Sequence, residues 1–112
     1  MHKLLSVLKR KTGMSREEFL KYWKENHGPL AMRSIPGLRR YVHNRPVEIP
    51  GVESDVDGIA ELWFDDLAAL ENYWVWRQSE GAQEILRDEV KLCQRDQGWI
   101  KLFCEELVLK EK

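Results

Sequence analysis

A chain of 112 residues is sized for one domain, and 18 Lys and Arg against 19 Asp and Glu leave a formal charge of −1. That balance excludes recruitment of nucleic acid or an anionic membrane by net charge, and the length leaves no room for a second catalytic domain. The N-terminal apolar run is too short for a secretory signal and no stretch approaches a membrane span, so a cytoplasmic protein is expected, with Cys93 and Cys104 as reduced packing residues.

Leu4 to Lys11 reads as a first strand that runs into the turn Thr12-Gly13-Met14. Ser15 with Glu18 makes a capping box, so a helix starts near Arg16, and Gly28-Pro29 marks its stop or a break in its direction. At about 100° per residue, Phe19, Tyr22, Trp23, Asn26 and His27 fall on one side, expected to face inward, with Glu17, Lys21, Lys24 and Glu25 opposite. Gly37 opens a second strand over Leu38 to Asn44. Arg45 to Val56, with Pro46, Pro50 and Gly51 and no periodicity, reads as a surface loop. Asp57-Gly58 introduces a third strand, Ile59 to Phe64, after which Asp65 or Asp66 caps a helix whose stripe is Leu67, Leu70 and Trp74. Gln78-Ser79-Glu80-Gly81 interrupts it. A further helical stretch from about Ala82 to Gln94 places Leu86, Val90 and Cys93 on one side, and Gln97-Gly98 leads into a last strand, Trp99 to Leu109.

The order βαββαβ predicts an α+β, ferredoxin-like fold: an antiparallel four-stranded sheet with helices on one face. The last strand alternates Ile100, Leu102 and Cys104 against Trp99, Phe103 and Leu107, so neither face is polar throughout. A monomer would leave one apolar face wet. Two sheets packed face to face in a two-fold homodimer are therefore expected, each subunit keeping its own helix-covered cavity.

Three segments bring polar groups toward the space between sheet and helices: the helix at His27, the second strand at Tyr41 and His43, and the third strand at Glu61 and Trp63. An imidazole exchanges a proton near neutral pH, and a carboxylate or phenol beside it fixes its tautomer, which makes His27, Tyr41 and Glu61 the candidate catalytic set. Two readings of His27 stand together, since a histidine at a helix C-terminus also caps the last carbonyls. Tyr22, Trp23, Trp63, His43 and Trp74 are the candidate substrate-binding residues, as an aromatic wall for a flat apolar ligand; aromatics at such spacing also simply pack a core. Glu61 is equally readable as a solvent-facing or ion-paired residue, and His43 as a strand-edge or dimer-face residue. There is no Gly-rich phosphate loop, Gly-x-Ser-x-Gly elbow, His-Glu-x-x-His or Cys-x-x-Cys, and His2, His27 and His43 lack metal-site spacing, so no metal or cofactor is expected. The aromatic and basic consensus of RNA-recognition domains, which share this strand order, is missing.

The ordered series Lys9-Arg10-Lys11-Thr12-Gly13-Met14-Ser15, Phe19-x-x-Tyr22-Trp23-x-x-x-His27-Gly28-Pro29-Leu30, Ile35-Pro36-Gly37-Leu38-x-x-Tyr41 and Asp57-Gly58-Ile59-Ala60-Glu61-Leu62-Trp63-Phe64 resembles the EthD family over nearly the whole chain. The resemblance implies the dimeric α+β barrel arrangement. Through a related muconolactone-type isomerase it also implies cofactor-free proton chemistry on small cyclic carbonyl compounds, with His27, Tyr41 and Trp63 matching by position. The cysteines of that isomerase's pocket have no match here, where Leu62 and Leu67 occupy the neighbourhood. The expected function is an isomerase, lyase or cyclase acting by proton transfer from His27 on a small hydrophobic or aromatic ligand. The alternatives are an accessory protein that holds such a ligand for an oxygenase and, third, haem chemistry with His27 or His43 as axial ligand.

Overall fold

A computed structural model describes residues 1–94 and 100–112. The strands are β1 (His2–Leu8), β2 (Arg40–Asn44), β3 (Gly58–Phe64) and β4 (Ile100–Glu105), all antiparallel, in the order β2-β3-β1-β4. The helices are α1 (Arg16–Tyr22), a π-helical turn (Trp23–His27), α2 (Gly28–Ser34), α3 (Leu67–Arg77), a short 3-10 turn (Glu80–Ala82) and α4 (Gln83–Leu92). Together they form the ferredoxin-like α+β sheet-and-helix sandwich. Among the described residues no helix is long and apolar enough to cross a membrane.

The capping box forms as read: Ser15 Oγ accepts from the Glu18 N–H at 3.1 Å and Glu18 Oε1 from the Ser15 N–H at 3.2 Å. The helix does not stop at Gly28-Pro29. Pro29 has no N–H to give to the preceding turn, and the chain widens into the π turn, where Gly28 N–H reaches back to the Trp23 carbonyl, then continues as α2. It ends at Ser34 because Ile35 precedes Pro36 and is held extended. Phe19, Trp23 and His27 face inward, as the periodicity predicts, whereas Asn26 is exposed.

The ends of several strands differ from the sequence reading. β1 starts two residues earlier and stops at Leu8, because the Lys9 and Lys11 backbones pair with the chain after α4 through Gln94 N–H and the Leu92 carbonyl. β2 begins at Arg40 and β4 ends at Glu105. Gln97, Gly98 and Trp99 lie outside the described residues. On α3 the buried residues are Leu70 and Tyr73, while Leu67 and Trp74 are exposed. On α4 they are Ile85, Asp88, Glu89 and Leu92, not the stripe of Leu86 and Val90, because two acids occupy the face that a purely apolar criterion would reject.

One core joins the layers, with Phe19 and Trp23 from the helices against Leu4, Leu62 and Phe64 of the sheet. Gly58 is required by this packing: a Cβ there would lie 2.6 Å from the Trp23 ring. Leu4, Ser6, Leu8, Tyr41, Ala60, Leu62 and Lys101 point to the helices. Strand alternation consigns Lys3, Leu5, Val7, Ile59, Glu61, Trp63, Ile100, Leu102 and Cys104 to the open face.

Asp57, just before β3, fastens the end of β1 to the start of α1. Its carboxylate is 1% exposed and accepts from Arg10 N–H at 2.8 Å, Arg10 Nη1 at 2.6 Å and Arg16 Nε at 2.9 Å. Burial alone would push this carboxyl up, but the Arg10 N–H and the two guanidinium groups hold it below the ordinary aspartate value of 3.8. Its contribution is therefore full above that value and is lost as pH falls through the lower folded one. Asp57→Ala is expected to cost about 2–4 kcal/mol in urea unfolding at neutral pH and to shallow the acid limb of the stability curve. An unchanged urea midpoint would refute this anchoring role.

Candidate functional site

Between the helix-facing side of the sheet and the helical layer lies a narrow cavity of about 40 Å³, room for a few water molecules. Leu4, Leu62 and Ala60 supply apolar floor, and His27, Tyr41, Arg77 and Glu89 bring the polar groups that line it. These come from four separate elements, which places them around one space despite separations of up to 62 residues in the chain.

His27 is 8% exposed. Its Nδ1 sits 2.8 Å from Asp88 Oδ2, a buried contact between the π turn and α4. A carboxylate at Nδ1 selects the tautomer with the proton on that nitrogen, so Nε2 keeps its lone pair for a ligand. The second oxygen, Asp88 Oδ1, accepts from the Tyr22 hydroxyl at 2.6 Å. Burial and the bond to Asp88 push the Tyr22 phenol up to about 12, so it stays a donor.

Arg77 of α3 and Glu89 of α4 form a two-point pair at 2.9 and 2.7 Å, with both side chains almost wholly buried against the cavity. Burial opposes charge on Arg77, yet the Glu89 carboxylate outweighs it and drives the guanidinium further into its charged form. Burial also raises the Tyr41 phenol well above the usual tyrosine range, leaving a neutral hydroxyl to donate. Cys93 lines the same space, and burial pushes its thiol up to about 12, which makes it a packing group rather than a nucleophile.

The residues proposed from sequence divide between the two sides of the sheet. His27, Tyr41 and Trp23 meet at the cavity. His43 lies behind it, its ring stacked on Trp23 at 3.7 Å and edge-on to Tyr41 at 4.7 Å, with Nε2 buried and without a partner among the described residues. Tyr22 faces Asp88 rather than a substrate space. Glu61 and Trp63 do not face the cavity, because their parity on β3 turns them to the open face. There Glu61 binds Lys3 Nζ at 3.1 Å and Asn44 Nδ2 at 2.8 Å, and Trp63 lies beneath Lys3 and Arg40. Trp74 is 42% exposed and meets Phe103 edge-on, away from the cavity lining. Conversely, Asp88, Glu89 and Arg77 escaped the sequence reading. The available signal was a helical spacing, Ile85, Asp88, Glu89 and Leu92, that puts two carboxylates on an otherwise apolar stripe.

Comparison with protein families matches residues 11–96 to the EthD domain. Comparison with curated proteins yields no match. Among solved structures, an EthD family protein from Bacillus halodurans is 24% identical with a TM-score of 0.72, over 96% of this chain and 99% of that one. An EthD-like protein from Ralstonia eutropha is 13% identical with a TM-score of 0.69, over 97% and 94%. A dimeric ferredoxin-like protein of unknown function from Jannaschia is 18% identical with a TM-score of 0.59, over 96% and 98%. At these identities the likeness is one of fold.

Burial, then the positive fields of His27 and Arg45, lower His43 from 6.5 to about 4, so the folded protein holds this ring neutral where an unfolded chain would protonate it. The unfolded state thus binds the extra proton, and stability falls as pH drops from about 6.5 towards 4. Replacing His43 by Phe should make that fall shallower by up to one proton, measured by urea unfolding across the interval. Parallel slopes for the two proteins would contradict the assignment.

Proposed function

The chain belongs to the EthD family, and we propose that it is a proton-transfer enzyme, an isomerase, lyase or cyclase for a small cyclic carbonyl compound, working as a homodimer. The observation that carries this reading is the buried 2.8 Å contact between His27 Nδ1 and Asp88 at the edge of a cavity that Tyr41 also lines. In the proposed reaction His27 Nε2 removes a proton from the carbon beside a substrate carbonyl. Asp88 keeps the ring in register and supplies the counter-charge once it is protonated. The Tyr41 hydroxyl donates to the oxygen on which enolate charge develops. The imidazolium then returns its proton at another carbon or to a departing group, and the apolar floor excludes water.

A cavity that accepts benzene measures about 150 Å³, so a ring-sized substrate requires side chains of the wall to move outward from the present 40 Å³. The same dimension weighs against haem.

The homodimer reading rests on the open sheet face, where Ile100 and Leu102 of β4 are 62% and 55% exposed beside Leu5, Val7 and Ile59. It is in keeping with the dimeric description of the Jannaschia protein.

Two outcomes are expected. Solvent deuterium wash-in to a panel of lactones and cyclic 1,3-dicarbonyls, followed by proton NMR, should identify a substrate; His27→Ala and Asp88→Asn should then slow exchange by about 10²–10⁴-fold. Exchange at the wild-type rate in His27→Ala would remove the histidine from the reaction. Light scattering should give twice the chain mass for the wild type and a single chain mass for Leu102→Glu, and a monomeric wild type would overturn the pairing.

A further inference from the structure

Tyr22 and His27 stand five residues apart, and in an undistorted α-helix that spacing separates side chains by about 140°. Here both reach one carboxylate, Asp88, the phenol at 2.6 Å on Oδ1 and the imidazole at 2.8 Å on Oδ2. The segment between them is the π turn Trp23–His27, whose wider winding brings residues five apart back towards a common side. We propose that the π turn serves to converge Tyr22 and His27 on Asp88, and that Tyr22 is a positioning residue which sets how strongly Asp88 acts on His27.

This proposal rests on the reading of His27 as the proton-handling group. The phenol and the imidazole compete for one anion. A 2.6 Å bond from a neutral phenol to a carboxylate is in the charge-assisted range and draws electron density to Oδ1, away from the oxygen that faces the imidazole. It also removes the free rotation by which Asp88 could abandon His27, because both carboxylate oxygens are engaged from the same helix. Tyr22 donates for as long as its phenol is protonated, which covers the whole range in which a histidine titrates.

Several other groups stand around the ring or the cavity it lines. Asp88 and Glu89 come from α4, Arg77 from α3, Tyr41 and His43 from β2, and Lys101 from β4. Glu89 and Arg77 offset one another through their two-point pair, and His43 is neutral until about pH 4. Removing the Tyr22 hydroxyl leaves all of these in place and changes only the share of Asp88 that His27 receives.

The test follows the His27 Nδ1–H resonance by heteronuclear NMR of the intact protein at fixed pH, with no substrate present. Tyr22→Phe should shift the His27 Nδ1–H resonance downfield, since Asp88 then serves the imidazole alone and that hydrogen bond strengthens, and Asp88→Asn should shift it upfield. Three-fluorotyrosine at position 22, a more acidic phenol and so a stronger donor, should move that resonance upfield of the wild type; it also serves where Tyr22→Phe does not fold. An unmoved resonance in folded Tyr22→Phe, or an upfield one, would overturn the role of Tyr22. Because the readout needs no turnover, these results are separable from a failure to find a substrate.

Discussion

Helix α4 carries two adjacent carboxylates, Asp88 and Glu89, on the side that it buries, and the placement of the helical layer follows from the need to satisfy them. A carboxylate taken out of water without partners is costly enough that the fold would not retain it. Asp88 is met by the Tyr22 hydroxyl and the His27 ring from the first helical segment, and Glu89 by the Arg77 guanidinium from α3. One short helix is thereby tied by directed bonds to both of its neighbours. Apolar contacts such as Ile85 and Leu92 tolerate sliding, but a two-point guanidinium pair does not. The geometry over the sheet is set by these bonds and the apolar packing fills in around it.

The same groups that fix the helices also supply the chemistry. His27 is inward because the π turn lets the chain pass Gly28-Pro29 without ending, and Trp23, one turn earlier, is seated against the bare backbone of Gly58. Tyr41 arrives from β2, whose register against β3 pairs it with Leu62 on the cavity floor. The sheet contributes Leu4, Leu8, Ala60 and Leu62 to the lining, and the helical layer contributes Trp23, Ala31, Ile85 and Leu92 together with most of the ionisable groups.

The two faces of the sheet have unlike characters. The helix side is closed by the core, while the open side combines exposed Ile100 and Leu102 with a compact polar set in which Lys3 bridges Glu61 and Glu106. Lys3 also lies 4.3 Å above the Trp63 ring, so charge and aromatic surface share one patch. In the proposed dimer this patch would give an otherwise greasy interface a preferred register, the use of buried polar groups with the best physical support. A carboxylate in the middle of β3 is tolerated because Asn44 first and Lys3 next hold Glu61 in its charged form.

The sequence by itself determined the βαββαβ order, the capped start of α1, the inward direction of Phe19, Trp23 and His27, and the EthD motif series, because each depends on local spacing and near-neighbour bonding. It also put His27 and Tyr41 forward as chemistry-bearing residues, on the strength of residue type and position. Only the tertiary structure decided which parity of β3 faces the helices, and so sent Glu61 and Trp63 to the open side. Period-two alternation names two faces without saying which one is covered. Only the tertiary structure, likewise, identified Asp88: a carboxylate reads as solvent-facing until the phenol and imidazole that hydrogen-bond it, 66 and 61 residues away in the chain, are brought within bonding distance.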